Sequence, residues 1–199
     1  MPYLLGVLAF VSSQVLIRIP LLEFLQTNSV NFIMFSIMQP VFYAIVLGLS
    51  AGIFEEIARF IMMNFFMKQR DWKSGFIFGV GHGGIEATLF VGIGALNIVF
   101  TSMANVYSTD FFIGGIERLF AILLHIGLSI IVLQSVVQKR FIYVTLAITI
   151  HAFVNILAGI LPLFMSPNIA LMAIEVSGAI IALAVFSYSL LIKKRGILQ

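Results

Sequence analysis

The sequence of 199 residues contains no cysteine. Without a thiol, the chain has no disulfide framework, no thiolate ligand for a metal ion and no cysteine nucleophile. Any catalytic or metal-binding site must therefore be built from other side chains, above all carboxylates, imidazoles and amides.

Charged residues are also scarce. They make up 10% of the chain, whereas hydrophobic residues make up 61% and the mean hydropathy is +1.15. This composition is typical of an all-α, polytopic membrane protein, whose backbone polar groups are satisfied inside helices. The net charge of +3 lies in a few short clusters, which is not the pattern of a nucleic-acid-binding face. We expect the lipid bilayer as its environment and no nucleic-acid partner.

Signals of a domain boundary are missing as well. The chain shows no shift in composition, no low-complexity tract and no internal repeat, so residues 1–199 are predicted to form one membrane domain. The first apolar segment lacks a basic amino-terminal region and a small-residue cleavage site, and we expect it to be a retained span and not a signal peptide.

What the chain has in quantity is apolar sequence. Six long apolar runs are separated by short polar segments: Pro2 to Leu22, Val30 to Met67, Ser74 to Met103, Phe111 to Val137, Phe141 to Phe164, and Ile169 to Ile192. The second run, of about 38 residues, would make a helix of about 57 Å against a hydrocarbon core of about 30 Å. It must tilt steeply, protrude or break, most easily at Pro40 or between Gly48 and Gly52. We predict a bundle of six to seven transmembrane helices, with eight as the upper count.

Lysine and arginine are absent from alternate loops. If the spans alternate across the membrane, the loops at residues 104–110 and 165–168 lie on one face and carry neither residue type. The opposite face carries Lys68, Arg70, Lys73, Lys139, Arg140, Lys193, Lys194 and Arg195. By the positive-inside rule, the basic face is cytoplasmic. We therefore expect a multi-pass protein with both termini in the cytoplasm.

Three charged residues stand within five positions of the second apolar run: Glu55, Glu56 and Arg59. An ionised side chain at the centre of a bilayer costs about 2.5 to more than 10 kcal/mol. These groups consequently need partners or a water-filled cavity. Glu55 and Arg59, four residues apart on a helix, could neutralise each other as a structural pair, which would leave the second glutamate without a partner.

The three histidines lie on three different spans at similar depth. Counted at helical rise, His82, His125 and His151 lie roughly 12 to 20 Å below the cytoplasmic surface, as do the two adjacent glutamates. Glu86 and Asn155 fall at the same depth. This coincidence on separate spans predicts a polar site inside the bundle.

Several kinds of chemistry suit these residues. His151 and Asn155, one helical turn apart, can donate hydrogen bonds to one small volume as an oxyanion hole, or make a helix–helix hydrogen bond. A glutamate near His82 could activate water for hydrolysis without a metal. Three imidazoles and a carboxylate would instead suit zinc, although no His-Glu-x-x-His pattern is present. A non-enzymatic protein, either a proton-coupled transporter or a partner-binding scaffold, could use the same residues as a relay or structural core.

Three short motifs carry a resemblance to a known family. They are Phe78-Gly-Val-Gly-His82, which fits FxxxH, His151-Ala-Phe-Val-Asn155, which fits HxxxN, and Glu55-Glu56-Ile-Ala-Arg59, which stands in the position of a diglutamate motif. The chain resembles the CAAX-protease and bacteriocin-processing group of intramembrane glutamate proteases, and most closely the YhfC-like membrane peptidases. With the latter it also shares Gln14 to Arg18, Gly81 to Ala87, and Glu117-Arg118 followed by His125.

The resemblance, which runs from about residue 12 to residue 155, implies an intramembrane endopeptidase of the glutamic type in a bacterial cell membrane. Its substrate would be a membrane-associated or lipidated peptide or protein. A glutamate and His82 would activate water, and His151 with Asn155 would hold the oxyanion. The implied reaction needs no metal cofactor; zinc is the alternative.

The diglutamate motif departs from the family pattern in one respect. The family has EExxxR, whereas here Arg59 arrives one residue earlier, which rotates it by about 100° relative to the glutamates on a helix. We take Glu55 as the water-activating residue, with Glu56 as the second choice. Supporting roles are expected for Arg59, Glu86, His125 and Phe78.

Overall fold

The computed structural model describes residues 1–100 and 108–198, and within them it contains helices and no strand. The helices are α1 (Pro2–Asn28), α2 (Val30–Met38), α3 (Pro40–Phe66), α4 (consecutive segments Trp72–Ala87, Thr88–Gly92 and Ile93–Phe100), α5 (Ser108–Gln138), α6 (Ile142–Phe164) and α7 (Pro167–Lys194). All but α2 are long and apolar enough to cross a membrane, which gives six candidate spans. The prediction of an all-α polytopic bundle with six to seven spans is confirmed.

The long second apolar run breaks at Pro40, one of the two predicted places. Gln39 leaves helical geometry with φ −133°, and Pro40 begins α3, where its missing N–H is tolerated in the first turn. Ser29 caps the short α2 because its Oγ accepts a hydrogen bond from the backbone N–H of Phe32 at 3.3 Å. The other predicted place, Gly48 to Gly52, stays helical. The run therefore supplies one span and one short helix.

The first span is longer than its apolar run predicted. The polar residues from Glu23 onwards, expected to follow it, still belong to α1, which ends at Asn28. The middle of α1, Val11–Arg18, is a π-helix, a form that is frequent at functional sites. The predicted loop at residues 104–110 lies largely outside the described residues, and the orientation of the bundle in the membrane stays a prediction.

Helix α5 forms the centre of the bundle. Every residue from 124 to 136 is buried, and α5 packs against α3, α4, α6 and α7. The outer helices instead expose large apolar side chains, among them Phe153, Phe164 and Met172, as lipid-facing surfaces do. His125 consequently lies on the most enclosed helix of the protein.

Candidate active site

Each of the three histidines lies against one glutamate. The closest nitrogen–oxygen distances are 2.9 Å for His82 and Glu55, 2.7 Å for His151 and Glu56, and 2.5 Å for His125 and Glu86. The rings also adjoin one another, with centroids 5.0 Å apart for His82 and His125 and 5.4 Å apart for His125 and His151. The side chains that were predicted to share one layer therefore form one cluster inside the bundle.

The two adjacent glutamates of α3 face different helices. Consecutive helical residues point about 100° apart, so Glu55 and Glu56 have different closest partners, although Nε2 of His151 also lies 3.8 Å from Oε1 of Glu55. Oε2 of Glu55 contacts Nε2 of His82 on α4, and Oε1 of Glu56 contacts Nδ1 of His151 on α6. Both carboxylates thus face histidines, each on its own side of α3.

Arg59 pairs with Glu56 and not with Glu55. Its Nη1 lies 3.2 Å from Oε2 of Glu56, and both side chains are fully buried. Its Nη2 donates to Nδ1 of His125 at 3.0 Å, because a guanidinium can only donate. The interpretation in which Arg59 neutralises Glu55 is therefore wrong. The arginine joins two of the three glutamate–histidine pairs.

Two residues of α1 complete the surroundings of Glu55. Nε2 of Gln14 donates a hydrogen bond to Oε1 of Glu55, and Nη1 of Arg18 donates to Oε1 of Gln14 at 3.0 Å. The motifs alone assigned neither residue to the site. The available signals were a glutamine and an arginine four residues apart within an apolar run, and the resemblance of the segment Gln14 to Arg18 to the YhfC-like peptidases.

The third pair extends the cluster along α5. Nη1 of Arg118 donates to Oε1 of Glu86 at 3.2 Å, and its Nη2 donates to Glu117. Arg118 and Glu117 line the same cavity as Glu175, a partly buried acidic residue of α7. Glu86 and His125, predicted only as supporting residues, are members of the cluster itself.

Glycines permit the close helix contacts that assemble the cluster. A Cβ atom on Gly83 of α4 would lie 3.1 Å from Cβ of His125 on α5. On α3, a Cβ atom on Gly52 would lie 3.0 Å from the backbone nitrogen of Ala152, the residue after His151. Both distances are tighter than ordinary contacts, and small residues at helix interfaces allow such an approach in membranes. The histidines of α5 and α6 reach the glutamates for this reason.

A cavity of about 530 Å³ adjoins the cluster. Its wall includes Glu55, His151 and Asn155, whereas Glu56 and His82 are fully buried and do not line it. Nδ2 of Asn155 donates to the carbonyl oxygen of His151 at 3.1 Å. Phe78 is fully buried in the apolar core, one turn before His82. The predicted motif residues are thus close together, but only some of them face the space where a substrate could bind.

Glu55, His82 and His125 could together hold a metal ion. Each offers one ligand atom, and these atoms lie within 4.8 Å of one another. One glutamate and two histidines form a donor set of catalytic zinc sites, in which water takes the remaining position. Nδ1 of His82 is buried and, among the described residues, has no hydrogen-bond partner. The residue types therefore fit zinc, and His125 would release Glu86 or Arg59 to bind it, because both of its ring nitrogens have partners.

Comparisons with known proteins agree with the motifs. A family model described as YhfC intramembrane metalloprotease matches residues 2–113 and 102–176. The chain is 34% identical to an uncharacterized membrane protein, YhfC, of Bacillus subtilis (strain 168), over 61% of this chain and 58% of that protein. The match therefore spans less than two thirds of the relative's length. No solved structure gives a significant match. A wider relation to the CAAX-protease group stays a prediction.

Proposed function

Because the chain belongs to the YhfC intramembrane metalloprotease family, as its motifs predicted, we propose that it hydrolyses a peptide bond of a membrane-associated peptide or protein with the help of zinc. The observation that carries this proposal is the group of Glu55, His82 and His125 inside a bundle of helices long enough to span a membrane. The motifs favoured a reaction without a metal. The family description and the donor set support the zinc alternative.

Glu55, His82 and His125 would hold the ion. When bound, zinc supplies a Lewis acid for the peptide carbonyl and a water activated for attack. Both ring nitrogens of His125 have partners, Glu86 at Nε2 (2.5 Å) and Arg59 at Nδ1 (3.0 Å), so one of these contacts would give way to the ion and the other would keep the ring in one orientation. Carboxylate partners of this kind orient histidine ligands in metal sites.

His151 and Asn155 are assigned to the carbonyl oxygen of the substrate. Both line the cavity beside Glu55, and Nε2 of His151 lies 3.8 Å from Oε1 of Glu55. Donors that are held in place before the reaction stabilise the negative charge that develops on that oxygen. Glu56 accepts from Nδ1 of His151 at 2.7 Å and holds this ring in position, so Nε2 donates to the substrate oxygen when the ring is doubly protonated.

A metal-free reaction is the second candidate, and the contact of Glu55 with His82 favours it. Oε2 of Glu55 lies 2.9 Å from Nε2 of His82, and Glu55 reaches the cavity wall. Glu56 is instead fully buried and bound to Arg59. In this version Glu55 activates the water as a general base with His82 beside it, as the resemblance to glutamic peptidases implied.

Hydrolysis by the purified protein in lipid nanodiscs tests the proposal, with fluorogenic casein and a set of transmembrane peptides as probes. We expect Glu55→Gln and His82→Ala to abolish cleavage. Glu23→Gln, at an exposed position, is the matched control, and this variant is expected to cleave normally. Normal turnover in both site variants would contradict the proposal.

Metal removal separates the two candidate reactions. In the zinc-dependent reaction, 1,10-phenanthroline abolishes cleavage and added zinc restores it. Cleavage that is indifferent to the chelator, in a sample without bound metal, supports the glutamic reaction. Proton flux or solute uptake in liposomes without any peptide hydrolysis would instead support the transporter.

A further inference from the structure

Glu55 differs from the other two glutamates of the cluster in its second partner. Glu56 and Glu86 each contact a guanidinium directly, with nitrogen–oxygen distances of 3.2 Å to Arg59 and to Arg118. Glu55 instead accepts a hydrogen bond from the neutral amide of Gln14. Since hydrogen bonds from charged donors are about twice as strong as neutral ones, Glu55 keeps more of its negative charge for other partners.

The arginine near Glu55 does not contact this carboxylate directly, because Gln14 lies between them. Arg18 donates from Nη1 to Oε1 of Gln14 at 3.0 Å. Its other donors bind α3, from Nε to Oγ of Ser50 at 3.0 Å and from Nη2 to the carbonyl oxygen of Leu47 at 2.8 Å. Among the described residues, no carboxylate lies within ion-pair distance of Arg18. An intramembrane arginine with only neutral partners indicates a functional role.

The chemistry of Arg18, Gln14 and Glu55 fixes the direction of the hydrogen bonds between them. A guanidinium only donates and an ionised carboxylate only accepts. Between them, the amide of Gln14 must turn its oxygen to Arg18 and its NH₂ to Glu55. The π-helical segment of α1 presents both side chains to α3. Arg18 therefore holds the amide, and the amide holds Oε1 of Glu55.

We propose that Gln14 and Arg18 are positioning residues that orient Glu55 for the reaction without neutralising it. The proposal rests on the proposed function, in which Glu55 is a zinc ligand or the water-activating base. With Oε1 held by Gln14, Oε2 is presented toward His82 at 2.9 Å. A purely structural role would be to tie α1 to α3. The bonds of Arg18 to Ser50 and Leu47 already do this without the amide.

Zinc titration of the metal-free protein in detergent tests this inference without a substrate. We expect Gln14→Leu, which keeps the volume of the side chain, and Arg18→Gln to weaken zinc binding by about 10- to 100-fold, as loss of a group that orients a ligand does. Arg18→Lys, which keeps a charged donor for Oε1 of Gln14, is expected to recover part of the affinity. Ser50→Ala removes one α1–α3 hydrogen bond and is expected to change the affinity less than twofold.

The outcomes separate this inference from the proposed function. Wild-type affinity in Gln14→Leu, with weakened binding in Glu55→Gln, would overturn the positioning role alone. Unchanged binding in Glu55→Gln would overturn the proposed zinc site itself. If the wild type binds no zinc, steady-state hydrolysis tests the positioning role instead. A fall in kcat with unchanged KM in Gln14→Leu supports this role, and an unchanged kcat refutes it. Thermal unfolding of each metal-free variant excludes loss of fold as the cause, and Arg18→Lys serves as the second probe if Gln14→Leu does not fold.

Discussion

Arg59 is the buried charge whose removal has the clearest expected cost. Its side chain and that of Glu56 are both fully buried, and Nη1 of Arg59 lies 3.2 Å from Oε2 of Glu56. Its Nη2 contacts Nδ1 of His125 at 3.0 Å. Methionine at position 59 would keep an unbranched apolar stem but leave the carboxylate as a buried charge without its cation.

The size of the expected loss of stability depends on whether one or both members of the buried ion pair are removed. Removing one member costs about 3–5 kcal/mol, because the remaining charge is uncompensated, whereas replacing both members by neutral groups is often close to neutral. We therefore expect Arg59→Met to lower the free energy of unfolding by about 3–5 kcal/mol. Glu56→Gln combined with Arg59→Met is expected to regain most of this loss, since the amide oxygen can still accept a hydrogen bond from His151.

Unfolding in mixed micelles of dodecyl maltoside and increasing SDS, followed by circular dichroism, measures these differences. Arg195→Met is the matched control at an exposed position, where a change within about 0.5 kcal/mol is expected. A loss below about 1 kcal/mol in Arg59→Met, well under the cost of an uncompensated buried charge, would refute the reasoning. A double variant as unstable as the single one would refute it too.

Two further predictions concern the packing and the oxyanion. Gly83→Ala is expected to lower the free energy of unfolding by about 1–3 kcal/mol through overpacking, since its Cβ would lie 3.1 Å from that of His125. Gly84→Ala, which meets nothing within 4 Å, is expected to be neutral or stabilising, and equal losses would contradict the packing argument. Asn155→Ala is expected to lower kcat about 100- to 1,000-fold with little change in KM, measured by steady-state hydrolysis against the exposed Thr149→Ala. A change confined to KM would contradict the oxyanion role.

The bundle could be predicted because a membrane imposes strong rules on a sequence. A span needs about 20 apolar residues, so the runs showed the helices, and Pro40 was one of the two places where the longest run was expected to break. Polar residues inside such runs are costly, which is why Glu55, His82 and His151 were visible as site candidates. The unexpected length of α1 has the same origin: a helix does not end where hydropathy falls, but where its backbone changes direction at Ser29.

Partners across the bundle were harder to predict. Gln14 and Glu55 are 41 residues apart in the chain, and no local spacing links them. Arg59 could reach either glutamate by its spacing of three or four residues, and the choice of Glu56 depends on His125, which occupies its other side. Such contacts depend on how helices pack.

By itself, the sequence determined that this protein is a bundle of membrane-spanning helices with glutamates and histidines in one layer, because helical rise and hydrocarbon thickness convert position into depth. Only the tertiary structure decided which glutamate meets which histidine. Adjacent residues such as Glu55 and Glu56 necessarily point about 100° apart, but the helices that lie in those two directions are set by close contacts at glycines such as Gly52 and Gly83. The depth of each site residue in the membrane follows from its position in the sequence, whereas its partners depend on how the helices pack.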